Sequence, residues 1–244
     1  MASSKLISCL LFLSTIAILV HVVISAGPLY HFCSKSGNFT ADSYYAQNLK
    51  NILADLNSKT PPTGFSTSSM GKKPDRSHGL SLCRGDVSSD NCKSCVLDAS
   101  QELVKRCPYD KEAIIWYDNC LLKYSDDCFR GEIDNRYKFY MWNSAVVSNP
   151  QYFNSKTKEL LGSLVDEAYW VQNMYATGEM KIGENEKLYG LVECTKDLSN
   201  EECKKCLEGI VSELPRCCAG KKGGRVVGGS CHFIYEMYPF VNTP

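Results

Sequence analysis

Two C-x2-C pairs, Cys92/Cys95 and Cys203/Cys206, are the residues of this sequence whose type and spacing most directly suggest chemistry. Two thiolates that close could supply half of a tetrahedral zinc site or form a dithiol redox pair. The competing reading gives each of these cysteines to a different structural disulfide, and alkylation without reductant separates the two. Histidine adds little, since only His31, His78 and His232 lie beyond the N-terminal leader described below. No nucleophile elbow, H-E-x-x-H helix or phosphate-binding loop accompanies them. The acidic residues are scattered. We therefore expect no catalytic residue, no metal site and no cofactor, and a binding protein rather than an enzyme.

The compartment bears on that choice. Lys5 precedes a long apolar run from Leu6 to Ile24, and the small residues Ser25, Ala26 and Gly27 follow. A basic start, an apolar middle and a small-residue exit make residues 1–26 a secretory signal peptide. An uncleaved anchor is the alternative, because the run approaches the ~20 residues that span a bilayer. No basic cluster follows to fix one. No later stretch has the length and apolarity of a span, so the mature chain is expected to be secreted, without a membrane anchor. The 27 basic and 27 acidic residues balance. That argues against nucleic acid as a partner, which usually draws a basic excess. Of the 14 cysteines, Cys9 belongs to the leader. The rest read as a disulfide framework in an oxidising compartment, and their odd number leaves at least one thiol free or bonded between chains.

The elements that position these cysteines are duplicated. Cys83, Cys92, Cys95, Cys107 and Cys120 recur 111 residues later as Cys194, Cys203, Cys206, Cys218 and Cys231. Their surroundings agree: Asp90-Asn91-Cys92-Lys93-Ser94-Cys95 parallels Glu201-Glu202-Cys203-Lys204-Lys205-Cys206. The mature chain therefore divides into a first unit at 27–130, a linker at 131–137 and a second unit at 138–240. Cys33 breaks the symmetry, since Ser144 stands at its offset, and Cys128 and Cys217 have no counterpart in the first unit.

Within each unit, Tyr45, Leu49, Ile52, Leu53 and Leu56, and again Leu160, Leu161, Leu164, Val165 and Ala168, recur at helical spacing. A second helix, capped near Ser89-Asp90 or Ser199-Asn200, is expected to carry each C-x2-C and to run through Leu103 or Leu214. Strands are expected at 113–117, 120–124, 225–227 and 232–238. The last has no cleanly polar face, so both of its faces should be partly covered. Three prolines with Ser, Thr and Gly predict a loop over 60–78. Helices with antiparallel strands give an α+β fold of two tandem units. Trp116, Tyr117, Trp142 and Trp170 are assigned to cores or to the boundary between units.

The C-x8-C-x2-C spacing of each unit, Arg106-Cys107-Pro108 in the first, and the second unit's Gly223-Gly224-Arg225-Val226 with Tyr235-Glu236-Met237-Tyr238-Pro239-Phe240 resemble the plant cysteine-rich repeat secretory proteins. Their unit is the ginkbilobin-like, stress-antifungal domain, and the resemblance covers nearly the whole mature chain. It implies two helices packed on an antiparallel sheet of about five strands. It also implies bridges Cys33–Cys107, Cys83–Cys92, Cys95–Cys120, Cys194–Cys203 and Cys206–Cys231. Cys128, Cys217 and Cys218 stay open: either Cys128 reaches one of the pair, or Cys217 and Cys218 bond to each other and Cys128 is free.

The resemblance further implies a mannose site built from an Asn beside the first cysteine, an Arg six residues before the last and a Glu five residues after it. Arg225 and Glu236 occupy the latter two positions in the second unit, and Asn143 lies near the first. Arg and carboxylate can grip vicinal hydroxyls through charge-assisted hydrogen bonds, and Asn offers a donor and an acceptor together. In the first unit the matching residues are Ser34, Ile114 and Ser125, so no equivalent site is expected there. The competing reading makes Arg225 and Glu236 a cross-strand ion pair. Asn38-Phe39-Thr40 is a glycosylation sequon. Two functions follow. One is a mannose-binding, antifungal lectin of plant defence in the apoplast, recognising mannose-containing glycans. The other is a module that binds extracellular proteins such as receptor ectodomains, with no sugar site.

Overall fold

The computed structural model describes residues 27–35, 37–134 and 136–242. The signal peptide expected at 1–26 lies outside the described residues. The first unit runs β1 (Tyr30–Cys33), α1 (Tyr44–Thr63), β2 (Phe65–Met70), β3 (Ser77–Cys83), α2 (Ser89–Arg106), β4 (Ala113–Trp116) and β5 (Cys120–Ser125). The second repeats the plan with β6 (Phe139–Trp142), α3 (Pro150–Ala168), β7 (Tyr175–Lys181), β8 (Lys187–Cys194), α4 (Asn200–Val211), a short α5 (Leu214–Cys217), β9 (Gly224–Val227) and β10 (Cys231–Glu236). Both sheets are antiparallel, with orders β1-β4-β5-β3-β2 and β6-β9-β10-β8-β7. The α+β fold of two tandem units, each with two principal helices on five strands, is the one expected.

Each helix pair covers one face of its own sheet. The apolar stripe Tyr45, Leu49, Ile52, Leu53 and Leu56 is buried against Ile115, Leu122 and Tyr124. Leu160, Leu161, Leu164 and Val165 are buried against Val192, Val226 and Phe233. Gly79 and Gly190 permit the approach, because a Cβ there would meet Ile52 and Leu56 in one unit and Leu160 and Leu164 in the other. Side chains alternate across a strand, so the opposite faces carry Leu80, Leu82, Ile114, Trp116 and Leu121 in the first unit and Phe139 and Val227 in the second. These form a third buried cluster in which the two sheets meet back to back. Trp116 is 2% exposed, and its indole N–H donates to the Gly228 carbonyl at 3.0 Å. This contact explains why β10 has no polar face: one side meets helices, the other meets the first unit.

Several local expectations change. The segment 60–78 is not a loop. α1 continues to Thr63 through Pro61 and Pro62, because Leu56, Thr60 and Pro61 are buried and the Thr60 hydroxyl bonds to Ser66 and Ser81. Phe65–Met70 then forms an edge strand on β3, a place that tolerates its Ser and Thr because one side is open. The helix expected to run through Leu214 instead ends at Val211 and restarts at Leu214. Pro215 lacks the N–H that would continue the ladder and suits the first turn of a new helix. The cap of α2 is Ser88, whose hydroxyl accepts from the Asn91 N–H at 3.3 Å, one residue earlier than expected. Ser199 caps α4 through the Glu202 N–H at 3.2 Å. Trp142 and Trp170 are exposed rather than in a core. Trp142 ends an edge strand and Trp170 follows the last turn of α3.

Disulfides join Cys33–Cys107, Cys83–Cys92, Cys95–Cys120, Cys194–Cys203 and Cys206–Cys231. The two cysteines of each C-x2-C thus enter different bridges. Cys217 is bonded to its neighbour Cys218, and Cys128 is free and exposed.

Candidate carbohydrate site

The candidate site forms where β6, β9 and β10 come together. β9 lies between the other two, with Met141 opposite Arg225 on one side and Ile234 opposite Arg225 on the other. Just past β6, the Asn143 N–H donates to the Gly223 carbonyl at 2.9 Å. Glu236, the last residue of β10, lies over that same glycine, and a Cβ at Gly223 would run into its carboxylate. The bare backbone at Gly223 is what lets the Glu236 side chain lie flat against β9. Asn143, Arg225 and Glu236 are thereby gathered at one corner of the second sheet.

Their electrostatics differ from those of free side chains. Burial pushes the Glu236 carboxyl above its usual range, against the opposing pull of Arg225 and hydrogen bonding from Asn143 and Tyr238. Its Oε2 is buried without a hydrogen-bond partner. The Asn143 side-chain oxygen accepts the Ala145 N–H at 2.9 Å, fixing the turn that carries it. Tyr238 is 53% exposed. Its phenol is raised by burial first and then by Glu236, with Arg225 and Asp118 also acting on it.

Arg225 does not form the cross-strand ion pair with Glu236 that would make both residues purely structural. Its Nη1 donates to Asp118 Oδ1 at 2.7 Å, a residue of the turn between β4 and β5 in the first unit. Sequence reasoning missed Asp118, since nothing in its neighbourhood marks a contact with the other unit. At the corresponding positions of the first unit, Ile114 is buried in the contact between units and Ser125 is buried beside Asp127, whose N–H its hydroxyl accepts. Asn38 of the sequon is exposed, bridged to Asp110.

A second polar cluster lies deeper between the units. Glu193 and His232 are paired across β8 and β10 and line a cavity of about 30 Å³ together with Arg84, Trp116, Asp118 and Arg225. Burial holds the Glu193 carboxyl well above its usual range and lowers the His232 imidazole to about 3. At the same register the first unit has Leu82 opposite Leu121. Comparing the repeats strand by strand would have exposed this exchange of an apolar pair for a titratable one.

A family model described as salt stress response/antifungal matches residues 32–127 and again residues 142–238. The antimicrobial ginkbilobin-2-like protein of Castanea crenata is 56% identical over 243 residues, which is 100% of each chain. Cysteine-rich repeat secretory protein 38 of Arabidopsis thaliana is 52% identical over 231 residues, covering 92% of this chain and 91% of that one. The solved tandem DUF26 ectodomain of the Arabidopsis thaliana cysteine-rich receptor-like protein PDLP5 has a TM-score of 0.73 at 23% identity, over 87% of this chain and 100% of that one. That of PDLP8 has a TM-score of 0.74 at 23% identity, over 87% of this chain and 98% of that one. At this identity both speak for the fold alone. Among the described residues, no helix is long and apolar enough to cross a membrane.

Proposed function

The chain belongs to the salt stress response/antifungal family, and from that premise we propose that it is an apoplastic defence protein that binds mannose-containing glycans through its second unit. Asn143, Arg225 and Glu236 are the binding residues. The observation that carries this reading is that Glu236 lies over Gly223 beside Asn143, with Arg225, Asn143 and Tyr238 all acting on its carboxyl. The first unit has no such corner, so one molecule carries one site. A sugar hydroxyl donates to Glu236, while Arg225 and the Asn143 amide donate to ring or hydroxyl oxygens. The half-exposed Tyr238 ring offers an apolar surface to the C–H face of the pyranose. The Castanea crenata relative is called antimicrobial, and fungal wall mannan is a fitting ligand for such a site.

Isothermal titration with mannose and mannan tests this, beside an Arg225→Ala/Glu236→Ala variant of unchanged fold. Saturable binding that the variant loses supports the reading, and no binding by the native protein overturns it.

A second reading, an extracellular protein partner, is favoured by one feature. Strand β1 is a sheet edge, and its Tyr30 and Phe32 are exposed while stacked on Phe139 and Tyr137 at 5.3 and 3.9 Å. Loss of receptor-ectodomain binding on Tyr30→Ser/Phe32→Ser, with mannan binding unchanged, would favour that surface.

A further inference from the structure

We propose that Asp118, carried by the first unit, completes the sugar site of the second, holding Arg225 in place and setting a preference for neutral hexoses over uronates. The inference rests on the reading of Asn143, Arg225 and Glu236 as a sugar site, and it makes that site a product of both units.

The geometry supplies the reasons. The Arg225 side chain is only 20% exposed, whereas Asp118 is 49% exposed, at the mouth of the contact between units. One Nη1 bond at 2.7 Å anchors one arm of the guanidinium and leaves the other N–H donors of the fork for a ligand. A long arginine held in advance loses less freedom when it binds. The turn that presents Asp118 is itself pinned. Arg84 donates from Nη1 to the Asp118 carbonyl at 3.3 Å, and its backbone N–H donates to the Asn119 carbonyl at 3.0 Å. Arg84 is in turn held by both carboxylate oxygens of Asp86, at 2.5 and 2.8 Å. Asp118 is thus a supporting residue on a rigid element.

Charge sets the ligand class. Arg225 with Glu236 alone would be neutral and Arg84 is matched by Asp86, so Asp118 leaves one carboxylate in excess. All three charges act on the Tyr238 phenol. A neutral hexose brings hydroxyl donors to two acceptor carboxylates. A uronate brings a like charge, which costs binding at such distances.

Titrating the intact protein with methyl α-mannoside and with an oligogalacturonide tests the inference, beside Asp118→Asn and Asp118→Glu. The Asn variant is isosteric, and its thermal unfolding serves as the control for fold. The expected result is about tenfold weaker mannoside binding by Asp118→Asn, one decade being the loss of a single charge-assisted contact. The mannoside-to-galacturonide ratio should also fall, and Asp118→Glu should restore it toward the native value. Mannoside binding by Asp118→Asn equal to or tighter than the native protein's would overturn the inference, placing Asp118 outside the site or in competition with the sugar. Equal weakening toward both sugars also overturns it, since that is the mark of a merely structural residue. Failure of the native protein to bind mannoside removes the sugar reading itself, and this inference with it.

Discussion

Glu193 and His232 face each other across β8 and β10 where the two units meet, with Nε2 and Oε2 3.7 Å apart, the Glu193 side chain fully buried and that of His232 14% exposed. Arg84, Asp86, Lys196 and Arg225 supply the charges around them. A carboxyl and an imidazole enclosed in this way both resist ionisation, and their opposite signs give the junction a pH optimum.

The first prediction concerns that optimum. The folded protein keeps the Glu193 proton above the ordinary value of 4.5, so stability from this source is full below that value and falls as pH rises toward the raised one. The His232 imidazole stays neutral down to about 3 instead of 6.5, so its stability is full above 6.5 and falls toward 3. Each unpaired slope is about 1.4 kcal/mol per pH unit. Where both are in play, above 4.5 and below 6.5, the two slopes oppose each other and flatten the profile; the acid loss below 4.5 is that of His232 alone, and the loss on raising the pH is that of Glu193. Melting temperature against pH should show it. Glu193→Gln should remove the alkaline decline and leave the acid one, and His232→Gln the reverse. Profiles unmoved by either substitution would refute the prediction.

Trp116 should be the main anchor between the units. Trp116→Ala removes the largest side chain of the apolar contact and the indole bond to Gly228, at a cost of about 3–5 kcal/mol. Trp116→Phe keeps much of the packing and loses the hydrogen bond, at about 1 kcal/mol. Urea unfolding measures both. A cost below 1 kcal/mol for the alanine variant would show that the units are held elsewhere.

Gly223 should be needed for sugar binding although its backbone φ is ordinary. Gly223→Ala sets a methyl group where the Glu236 carboxylate lies, so Glu236 must swing away. Mannan binding should weaken about tenfold or more, with a small change in melting temperature. Unchanged affinity would mean that Glu236 is no part of the ligand contact.

Alkylation of the native protein without reductant, followed by peptide mass mapping, should label Cys128 and spare the other cysteines among the described residues. A label on Cys217 or Cys218 would contradict their pairing. A chain that labels nowhere would point to a disulfide between two molecules through Cys128.

The repeat of five cysteines and the apolar stripes of α1 and α3 were plain in the sequence because both are local or periodic signals. Strand β2 was hidden because an edge strand needs no apolar alternation, and Ser66 to Ser69 read as a loop. The break before α5 was signalled by Pro215 but masked by the apolar run on either side. The exposure of Trp142 and Trp170 was invisible, since residue type alone does not say whether a strand end or helix end meets another element.

By itself the sequence determined the duplication, the positions of the cysteines and the α+β composition, all carried by spacing along one chain, and the family resemblance singled out Arg225 and Glu236. Only the tertiary structure decided that the two sheets meet back to back, that Glu193 and His232 are enclosed between them, and that Arg225 reaches Asp118 rather than Glu236. The physical reason is that each unit satisfies its own helix-facing core locally. The other face of each sheet is completed by residues of the other unit, such as Phe139 and Gly228 against Trp116, and no short-range periodicity records which of them it will touch.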